Sequence, residues 1–296
     1  MTNQAFRPRR SALYMPGSNA RALEKARTID TDCLILDLED AVAPDQKDLA
    51  REQVAEAVAA RAFGFREVIV RLNGFDTAWG DADLAAIAPS GPDAILVPKV
   101  SDASAVGTAT RRIRAAGAPP GTALWVMMET PLAVLNAAEI AAASTEPDCP
   151  LSCFVLGTND LAKDTRAALV PGRAPMLAWL QTCLAAARAY GLDILDGVYN
   201  AIGDPEGFAL ECRQGVELGM DGKTLIHPKQ IGPCNAAFSP DPQEVDWAQR
   251  VIETFEQPEN AGKGALQIDG RMVERLHADI ARRTLAIAEA IRDRAA

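Results

Sequence analysis

Three carboxylates stand close together at the end of an apolar segment. The stretch LILDLEDAV, residues 34–42, begins with an apolar run that is typical of a buried strand and then places Asp37, Glu39 and Asp40 within four residues. Burying a carboxylate without a partner costs several kcal/mol. A cation or a set of hydrogen-bond donors is therefore expected where this strand ends.

Polar side chains also follow the other apolar runs of the chain. Those at the ends of further runs are Tyr14, Arg71, Asn73, Lys99, Glu129, Asn159, Asp160, Asp196 and His227. Several carboxylates gathered in one place repel one another unless a hard cation lies among them. Oxygen ligands without a histidine or thiolate cluster select Mg²⁺, with Mn²⁺ as the substitute, over zinc or copper.

The acids therefore predict a magnesium site. Glu129 and Asp160 come singly from neighbouring strand ends, so we expect them to bind Mg²⁺ directly, with water and substrate oxygens completing the octahedron. Asp37, Glu39 and Asp40 would then hold the water ligands. The remaining negative charge would be offset by Arg71 and Lys99. Arg71 is the predicted catalytic cation, because a fixed positive charge is worth most where negative charge develops on the substrate.

Each of these residues also fits a purely structural role. Glu129 stands in a helix-start sequence, ET-P, and Asp160 follows GTN as a turn or cap residue does. Arg71 fits an ion-pair partner for the acids of residues 34–42. His227 precedes a proline and fits a capping residue. Only the convergence of several strand ends favours the catalytic interpretation.

Eight apolar runs must position these side chains. Most are too uniformly apolar to be half-exposed, as expected for parallel strands covered on both faces. The runs are ALYM, CLILDL, EVIVRL, AILVPK, ALWVMM, CFVLG, LDILDG and TLIHP. Segments with helical spacing lie between them, which predicts a (β/α)8 barrel with its site at the carboxyl ends of the strands. A doubly wound sheet would need a glycine-rich turn after the first strand, and MPGSNA contains one glycine.

The C-terminal residues form an appendage to this barrel. We expect the barrel to span residues 1–238 and a C-terminal helical extension to span residues 239–296, with helices over 241–257 and 272–294. The connector, residues 260–266, contains two glycines and favours a hinge. The extension is interpreted as a lid or an oligomer contact.

Composition limits the function further. The formal charge of −10 argues against nucleic acid or an anionic membrane surface as a partner. No apolar run is long enough to span a bilayer and no signal peptide opens the chain, so we expect a cytoplasmic protein. Six cysteines without a CxxC pair indicate free thiols, and two histidines exclude a three-histidine zinc site. Residues 7–25 are locally basic, which suits an anionic small molecule.

Motifs along nearly the whole chain resemble those of the citrate lyase β-subunit-like family, which includes malyl-CoA and citramalyl-CoA lyases. The blocks are RRSALYMPGSNARALEKA, LILDLEDAVAPDQKDLAR, VIVRLNG, LVPKV, WVMMET, VLGTNDL and GKTLIHPKQI. The resemblance places the chain in the wider HpcH/HpaI aldolase superfamily. It implies a Mg²⁺-dependent TIM barrel that acts on a CoA thioester and assembles as a homo-oligomer, a trimer or a hexamer.

The resemblance also implies roles for individual residues. By motif, Glu129 and Asp160 match the metal ligands and Arg71 matches the arginine that holds substrate. Positions that contact CoA or substrate match Tyr14, Asn19, Lys25, Asn159, Ile226 and His227. The basic residues around Lys25 would meet the CoA phosphates.

The sequence departs from the family pattern at an acidic residue of the C-terminal lid. In the CoA lyases an aspartate in a GxxxD pattern, contributed by the neighbouring subunit, performs the proton chemistry. The matching block here is GRMVE, which places Glu274 at that position, with Asp269 as a nearby substitute. A glutamate adds one methylene, and a displacement of about 1 Å costs on the order of 100-fold in rate.

The predicted reaction is cleavage or formation of a carbon–carbon bond in a malyl-CoA-like thioester, giving a 2-oxo acid and an acyl-CoA. Two alternatives use the same site: hydrolysis of the thioester, and service as the citryl-thioester lyase subunit of a citrate lyase complex. A Schiff-base aldolase would use Lys99 or Lys223. A CoA-binding protein without catalysis stays open as well.

Overall fold

Eight parallel strands close into a barrel in the larger of two units into which the chain divides. The computed structural model describes residues 7–295 of the 296-residue chain. One unit is Arg9–Phe238, and the other runs from Ser239 onward and includes the described residues before Arg9. The strands are β1 Ser11–Pro16, β2 Cys33–Asp37, β3 Glu67–Arg71, β4 Ala94–Val97, β5 Ala123–Met128, β6 Leu151–Leu156, β7 Asp193–Asp196 and β8 Gly222–Leu225.

The strand order confirms the predicted (β/α)8 barrel. Each strand pairs in parallel with its successor, and β8 pairs with β1 to close the ring. Every residue of β2 and β3 is buried, which explains why these runs lack the alternation of a half-exposed strand. The register sets Asp37 beside Arg71 at the carboxyl ends of these two strands.

Helices cover the outside of the barrel. They are α1 Ala20–Ala26, α2 Lys47–Ala59, α3 Gly80–Ser90, α4 Ala103–Ala115, α5 Pro131–Leu135, α6 Ala137–Ala142, α7 Thr158–Thr165, α8 Leu177–Ala189, α9 Pro205–Leu218 and α10 Ile231–Ala237. Short 3₁₀ turns lie at Pro44–Gln46, Ala143–Thr145 and Pro228–Gln230. The sequence did not predict α7 or α10. Asn136 separates α5 from α6.

Two apolar layers hold the barrel. The interior is filled by side chains that include Ile35, Ile69, Leu96 and the fully buried Trp125. A larger cluster packs the outer face of the strands against the helices. Because the interior is filled by side chains, a ligand that binds to the barrel strands is expected at a rim rather than in the interior.

Arg9 closes the amino-terminal end of the barrel. Its guanidinium donates two 2.7 Å hydrogen bonds to the Glu67 carboxylate and one of 2.5 Å to Asp193, and it lies 4.9 Å from the centre of the Trp125 ring. Glu67 and Asp193 are the first residues of β3 and β7. Arg10 pairs with Asp32 in the same way, at 2.8 Å. The predicted basic cluster is therefore divided, because these two arginines face away from the carboxyl ends of the strands.

The C-terminal unit contains a β-hairpin that the sequence analysis missed. Its elements are α11 Pro242–Glu256, β9 Ala265–Ile268, β10 Arg271–Glu274 and α12 Arg275–Ala295, with a 3₁₀ turn at Pro258–Asn260. β9 and β10 are antiparallel, and the turn residues Asp269 and Gly270 have φ of 48° and 77°. Asp-Gly between the short segments LQI and RMV is a hairpin signal. The final helix therefore begins at Arg275 rather than at residue 272.

Within residues 7–295, no helix combines the length and the apolar character that crossing a membrane requires.

We expect Arg9→Met to lower the free energy of unfolding by about 3–5 kcal/mol, because it leaves the buried Glu67 carboxylate without its cation. Chemical denaturation measures the change. Arg27→Met, which removes a surface pair with Glu24, is the matched control and should change stability by less than about 1 kcal/mol. Equal effects of the two substitutions would contradict the role of Arg9 in stabilising the amino-terminal end of the barrel.

Candidate functional site

A cavity of about 290 Å³ lies where the barrel strands end at their carboxyl termini. Its charged lining consists of Asp37, Asp40, Arg71, Glu129 and Asp160. The rest of the lining is Tyr14, Ala41, Met127, Leu156, Gly157, Thr158, Asn159, Val198, Thr224 and Ile226. Eight of the residues predicted as site residues thus lie around one cavity: Tyr14, Asp37, Asp40, Arg71, Glu129, Asn159, Asp160 and Ile226.

Arg71 is the cation that meets the acids after β2. Its Nε and Nη2 each donate a 2.6 Å hydrogen bond to Asp37, one to each carboxylate oxygen. Nη1 lies 2.8 Å from Glu39 Oε2 and 3.5 Å from Asp40 Oδ2. The guanidinium also lies 4.7 Å from the centre of the Tyr14 ring. The partner that the sequence required for these carboxylates is therefore an arginine of the next strand.

This pairing changes the interpretation of the acids after β2. Both oxygens of Asp37 are engaged by Arg71 and also accept the backbone N–H groups of Glu39 and Ala41, at 3.0 Å each. Burial raises the pKa of Glu39 to about 8, against the opposing effect of Arg71. One guanidinium shared by three carboxylates leaves the turn with excess negative charge. A role of Glu39 and Asp40 in holding metal-bound water stays a prediction.

Glu129 follows β5 and is 2% exposed. Its Oε1 accepts a 2.8 Å hydrogen bond from the backbone N–H of Lys99, while Oε2 has no hydrogen-bond donor among the described residues. Burial raises the pKa of Glu129 to about 7, and the nearby Asp160 carboxylate adds to the rise. Gly157 makes room for this side chain, because a Cβ there would lie 2.7 Å from Oε2 and overlap the Glu129 Cβ.

Asp160 stands in the first turn of α7, on the wall of the cavity next to Glu129. Its side chain is partly exposed, and Oδ1 accepts a 2.9 Å hydrogen bond from Lys163 one turn later. The amino end of a helix favours an anionic side chain. Asp160 therefore has the local role at a helix start that its sequence context predicted, and it also lines the cavity.

These residues fit a divalent cation. The carboxylates of Glu129 and Asp160 line the same space, one of them desolvated and with an oxygen that lacks a donor. No three His, Cys, Asp or Glu side chains within residues 7–295 form a ready-made ligand cluster. A cation held by two carboxylates would complete its coordination with water and substrate oxygens, which is the habit of Mg²⁺.

Part of the cavity lining is apolar. Met127, Leu156, Val198 and Ile226 lie there, and the Tyr14 hydroxyl donates a 3.6 Å hydrogen bond to the Met127 sulfur. Burial raises the pKa of Tyr14, so its hydroxyl stays neutral. Of these residues only Ile226 was predicted, because Met127, Leu156 and Val198 have the apolar character of core residues.

Other predicted site residues do not line the cavity. Lys99 is exposed, with φ of 53°, and contributes its backbone N–H to Glu129. His227 caps the 3₁₀ turn after β8, accepting a 3.1 Å hydrogen bond from the Lys229 backbone, as its structural alternative predicted. Asn19 caps α1, and Lys25 is exposed on that helix. Their predicted contacts with CoA stay predictions.

Asp196 and Lys223 belong to a buried ion-pair network and do not line the cavity. Lys223 is fully buried and its Nζ lies 3.0 Å from Asp196 and 2.7 Å from Glu211. Arg173 completes the network with a 2.6 Å contact to Asp196. Although burial opposes it, the two acids hold the pKa of Lys223 above its usual value. A protonated, paired lysine is a poor nucleophile, so the Schiff-base alternative loses Lys223.

The two predicted lid acids lie in the C-terminal unit. Glu274 is the last residue of β10 and is half-buried, and its backbone N–H donates to His277 at 2.9 Å. Asp269 lies in the hairpin turn, 65% exposed, with Arg250 at 3.5 Å. A hairpin rather than a helix therefore carries both acids. Their role in proton transfer stays a prediction.

A family model extends over most of the barrel. The model described as HpcH/HpaI aldolase/citrate lyase matches residues 10–228. The chain belongs to the HpcH/HpaI aldolase/citrate lyase family. This confirms the resemblance carried by the sequence motifs, and the acid-rich cavity lies inside the matched region.

Relatives within this family cover the whole chain. It is 51% identical over 291 residues to a (3S)-malyl-CoA thioesterase of Cereibacter sphaeroides, covering 98% of each chain. It is 36% identical over 288 residues to the citrate lyase subunit beta of Escherichia coli, covering 96% of this chain and 94% of that one.

Solved structures of the family agree in fold. CitE from Mycobacterium tuberculosis, in complex with magnesium, acetoacetate and coenzyme A, has a TM-score of 0.71 at 29% identity, covering 94% of this chain and 97% of that one. A citrate lyase from Burkholderia xenovorans has a TM-score of 0.81 at 20% identity, covering 98% and 94%. The second likeness supports the fold alone.

Binding of Mg²⁺ should weaken as the pH falls below about 7. In the metal-free protein Glu129, with its pKa raised to about 7, is protonated below that pH, and the proton must leave before the carboxylate binds a cation. We expect the apparent Kd to rise by up to about tenfold per pH unit below 7 and to level off above it. Calorimetry at pH 6, 7 and 8 measures this.

Glu129→Gln is the control, because it removes the titrating group without changing its size. Both the affinity and its pH dependence should be lost. An affinity for Mg²⁺ that is constant from pH 6 to 8 in the wild-type protein would contradict the account of Glu129.

Proposed function

We propose that this protein hydrolyses the thioester bond of (3S)-malyl-CoA, or of a closely related acyl-CoA with a hydroxyl and a carboxylate on one carbon. The observation that carries the proposal is the 51% identity to a (3S)-malyl-CoA thioesterase along 98% of both chains. The chemistry of the cavity supports it, because a 2-hydroxy acid offers two oxygens to a cation held by Glu129 and Asp160. The sequence analysis gave hydrolysis as its alternative and carbon–carbon cleavage as its first choice.

Glu129 and Asp160 would hold Mg²⁺, which would supply Lewis-acid chemistry at the hydroxy-acid oxygens of the substrate. Arg71 would stabilise negative charge on substrate oxygen, because the carboxylates of Asp37 and Glu39 fix its guanidinium beside the cavity. The neutral Tyr14 hydroxyl would contribute a hydrogen bond.

Hydrolysis also needs a group that accepts a proton from water as it attacks the thioester carbonyl. The carbon–sulfur bond then breaks, and the departing CoA thiolate takes a proton. We propose Glu274 for this exchange, with Asp269 as its substitute. We further propose a homo-oligomer, a trimer or a hexamer, in which a neighbouring copy contributes its C-terminal unit, and a cytoplasmic location.

Carbon–carbon cleavage is the second candidate. It would release a 2-oxo acid and an acyl-CoA from the same substrate. The support is the 36% identity to a citrate lyase subunit beta and the likeness to CitE, whose complex holds magnesium, acetoacetate and coenzyme A. The same relative supports the narrower alternative of a subunit in a citrate lyase complex, acting on a carrier-bound citryl thioester.

Product analysis separates these candidates. With purified protein, Mg²⁺ and (3S)-malyl-CoA, we expect free CoA thiol and malate in equal amounts and no glyoxylate. Thiol release is followed with a chromogenic disulfide and the acids by mass spectrometry. Formation of glyoxylate and acetyl-CoA would contradict hydrolysis and support carbon–carbon cleavage. An absence of turnover would contradict both proposals.

Removal of the cation tests the metal. EDTA or Glu129→Ala should lower kcat/KM by at least about 100-fold, because either one removes the Lewis acid. Leu135→Ser changes an exposed side chain and is the control. Undiminished turnover after both treatments would remove the metal from the mechanism.

A further inference from the structure

A buried lysine holds the chain at the point where β2 ends. Lys47 is the first residue of α2 and is 6% exposed. Its Nζ donates hydrogen bonds of 2.7 Å to the backbone oxygens of Leu38 and Glu39 and one of 2.8 Å to Asn73 Oδ1. An ammonium group has three protons, and all three have acceptors here. Lys47 is therefore a clamp on the backbone rather than a nucleophile.

Asn73 extends the clamp to the end of β3. Its Nδ2 donates to the Leu38 oxygen at 2.8 Å and to Asp83 Oδ2 at 2.6 Å, and its backbone N–H donates to the same Asp83 oxygen at 3.0 Å. Asp83 is fully buried in α3, where Arg51 Nε donates to its second oxygen at 2.9 Å. The clamp joins the ends of β2 and β3 to two helices.

The clamped segment carries the acids that meet Arg71. Leu38 and Glu39 lie between Asp37, which binds the guanidinium with both oxygens, and Asp40, which lies 3.5 Å from Nη1. The clamp does not contact Glu129 or Asp160. The path from Lys47 to the cavity therefore runs through the backbone of this turn to Arg71 and bypasses the predicted metal ligands.

We propose that Lys47, Asn73 and Asp83 are positioning residues that hold the acidic turn, residues 37–41, so that Arg71 presents its guanidinium to the substrate. The proposal rests on the proposed function insofar as Arg71 acts on substrate charge. Without Lys47, two buried carbonyl oxygens lose a charged donor and the turn must move to find others. A shift of about 1 Å in a catalytic group costs on the order of 100-fold in rate.

Lys47→Met tests the proposal. We expect kcat per folded molecule to fall by about 10- to 100-fold, with KM changed by less than about threefold, because a misplaced Arg71 affects the transition state more than binding. The affinity for Mg²⁺ should change by less than about twofold. The Arg71 side-chain N–H signal, assigned in ¹⁵N NMR spectra by its loss in Arg71→Lys, should shift.

Arg66→Met is the matched control. Arg66 is 8% exposed and also donates to two backbone carbonyls, those of Ile29 at 2.5 Å and Phe63 at 3.0 Å, just before β3 begins. Its loss should lower the melting temperature as Lys47→Met does, yet leave kcat and the Arg71 signal unchanged. An equal fall of kcat in Arg66→Met would show that loss of stability alone explains the effect and would overturn the proposal.

Asp83→Asn is a second test of the proposal, for the case in which Lys47→Met does not fold. It preserves the shape of the side chain while weakening its acceptance from Asn73, so a smaller change in the same direction is expected. A folded variant with wild-type kcat and an unmoved Arg71 signal overturns the proposal. If the wild-type protein does not turn over (3S)-malyl-CoA, the proposed function fails, and the NMR signal of Arg71 alone supports or overturns the positioning role.

Discussion

The site depends on the repulsion between carboxylates that the barrel brings to one rim. Asp37, Glu39 and Asp40 share the single guanidinium of Arg71, and the buried Glu129, near Asp160, forms no salt bridge with any residue in the described range 7–295. Burial raises the pKa values of Glu39 and Glu129, and repulsion by neighbouring carboxylates adds to both shifts. A divalent cation between Glu129 and Asp160 would reduce that repulsion, so the electrostatics and the proposed chemistry require the same ion.

The cavity contains two groups of charged residues, one around Arg71 and the other around Glu129. On one side, Arg71 and the clamp of Lys47 and Asn73 hold a turn whose three carboxylates share one guanidinium. On the other side, Gly157 leaves room for a Glu129 carboxylate that is only half satisfied. The proposal assigns stabilisation of substrate charge to the first side, and the second side is suited to binding a cation. Parallel strands make this possible because their carboxyl ends all reach the same rim.

Sequence patterns predicted the strands better than the fate of individual polar residues. Uniformly apolar runs such as that of β2 have few alternatives, so all eight strands were found. Asp196 and Lys99 follow strands as the cavity residues do, yet one is buried against Arg173 and Lys223 and the other points outward with a positive φ. A shift of one residue along the strand decides whether such a side chain faces the cavity, and a single sequence does not specify that position.

Short elements were missed for a different reason. The start of α7 was interpreted as a turn after GTN, because the eight residues of this helix, about two turns, give too little periodicity to recognise. The hairpin carrying Glu274 had a usable signal in its Asp-Gly pair, but the glycines of the preceding connector favoured a hinge between helices. Lys47 and Asn73 stand in the motifs that identified the family, and only their contacts reveal what they hold.

The position of a bound cation tests the central claim most directly. A crystal of the protein grown with Mn²⁺ would show it by anomalous scattering. The account predicts one peak between the carboxylates of Glu129 and Asp160, with Asp37 still bound to Arg71 through both oxygens. A peak at Asp37 with Arg71 displaced, or no peak in the cavity at saturating Mn²⁺, would contradict it.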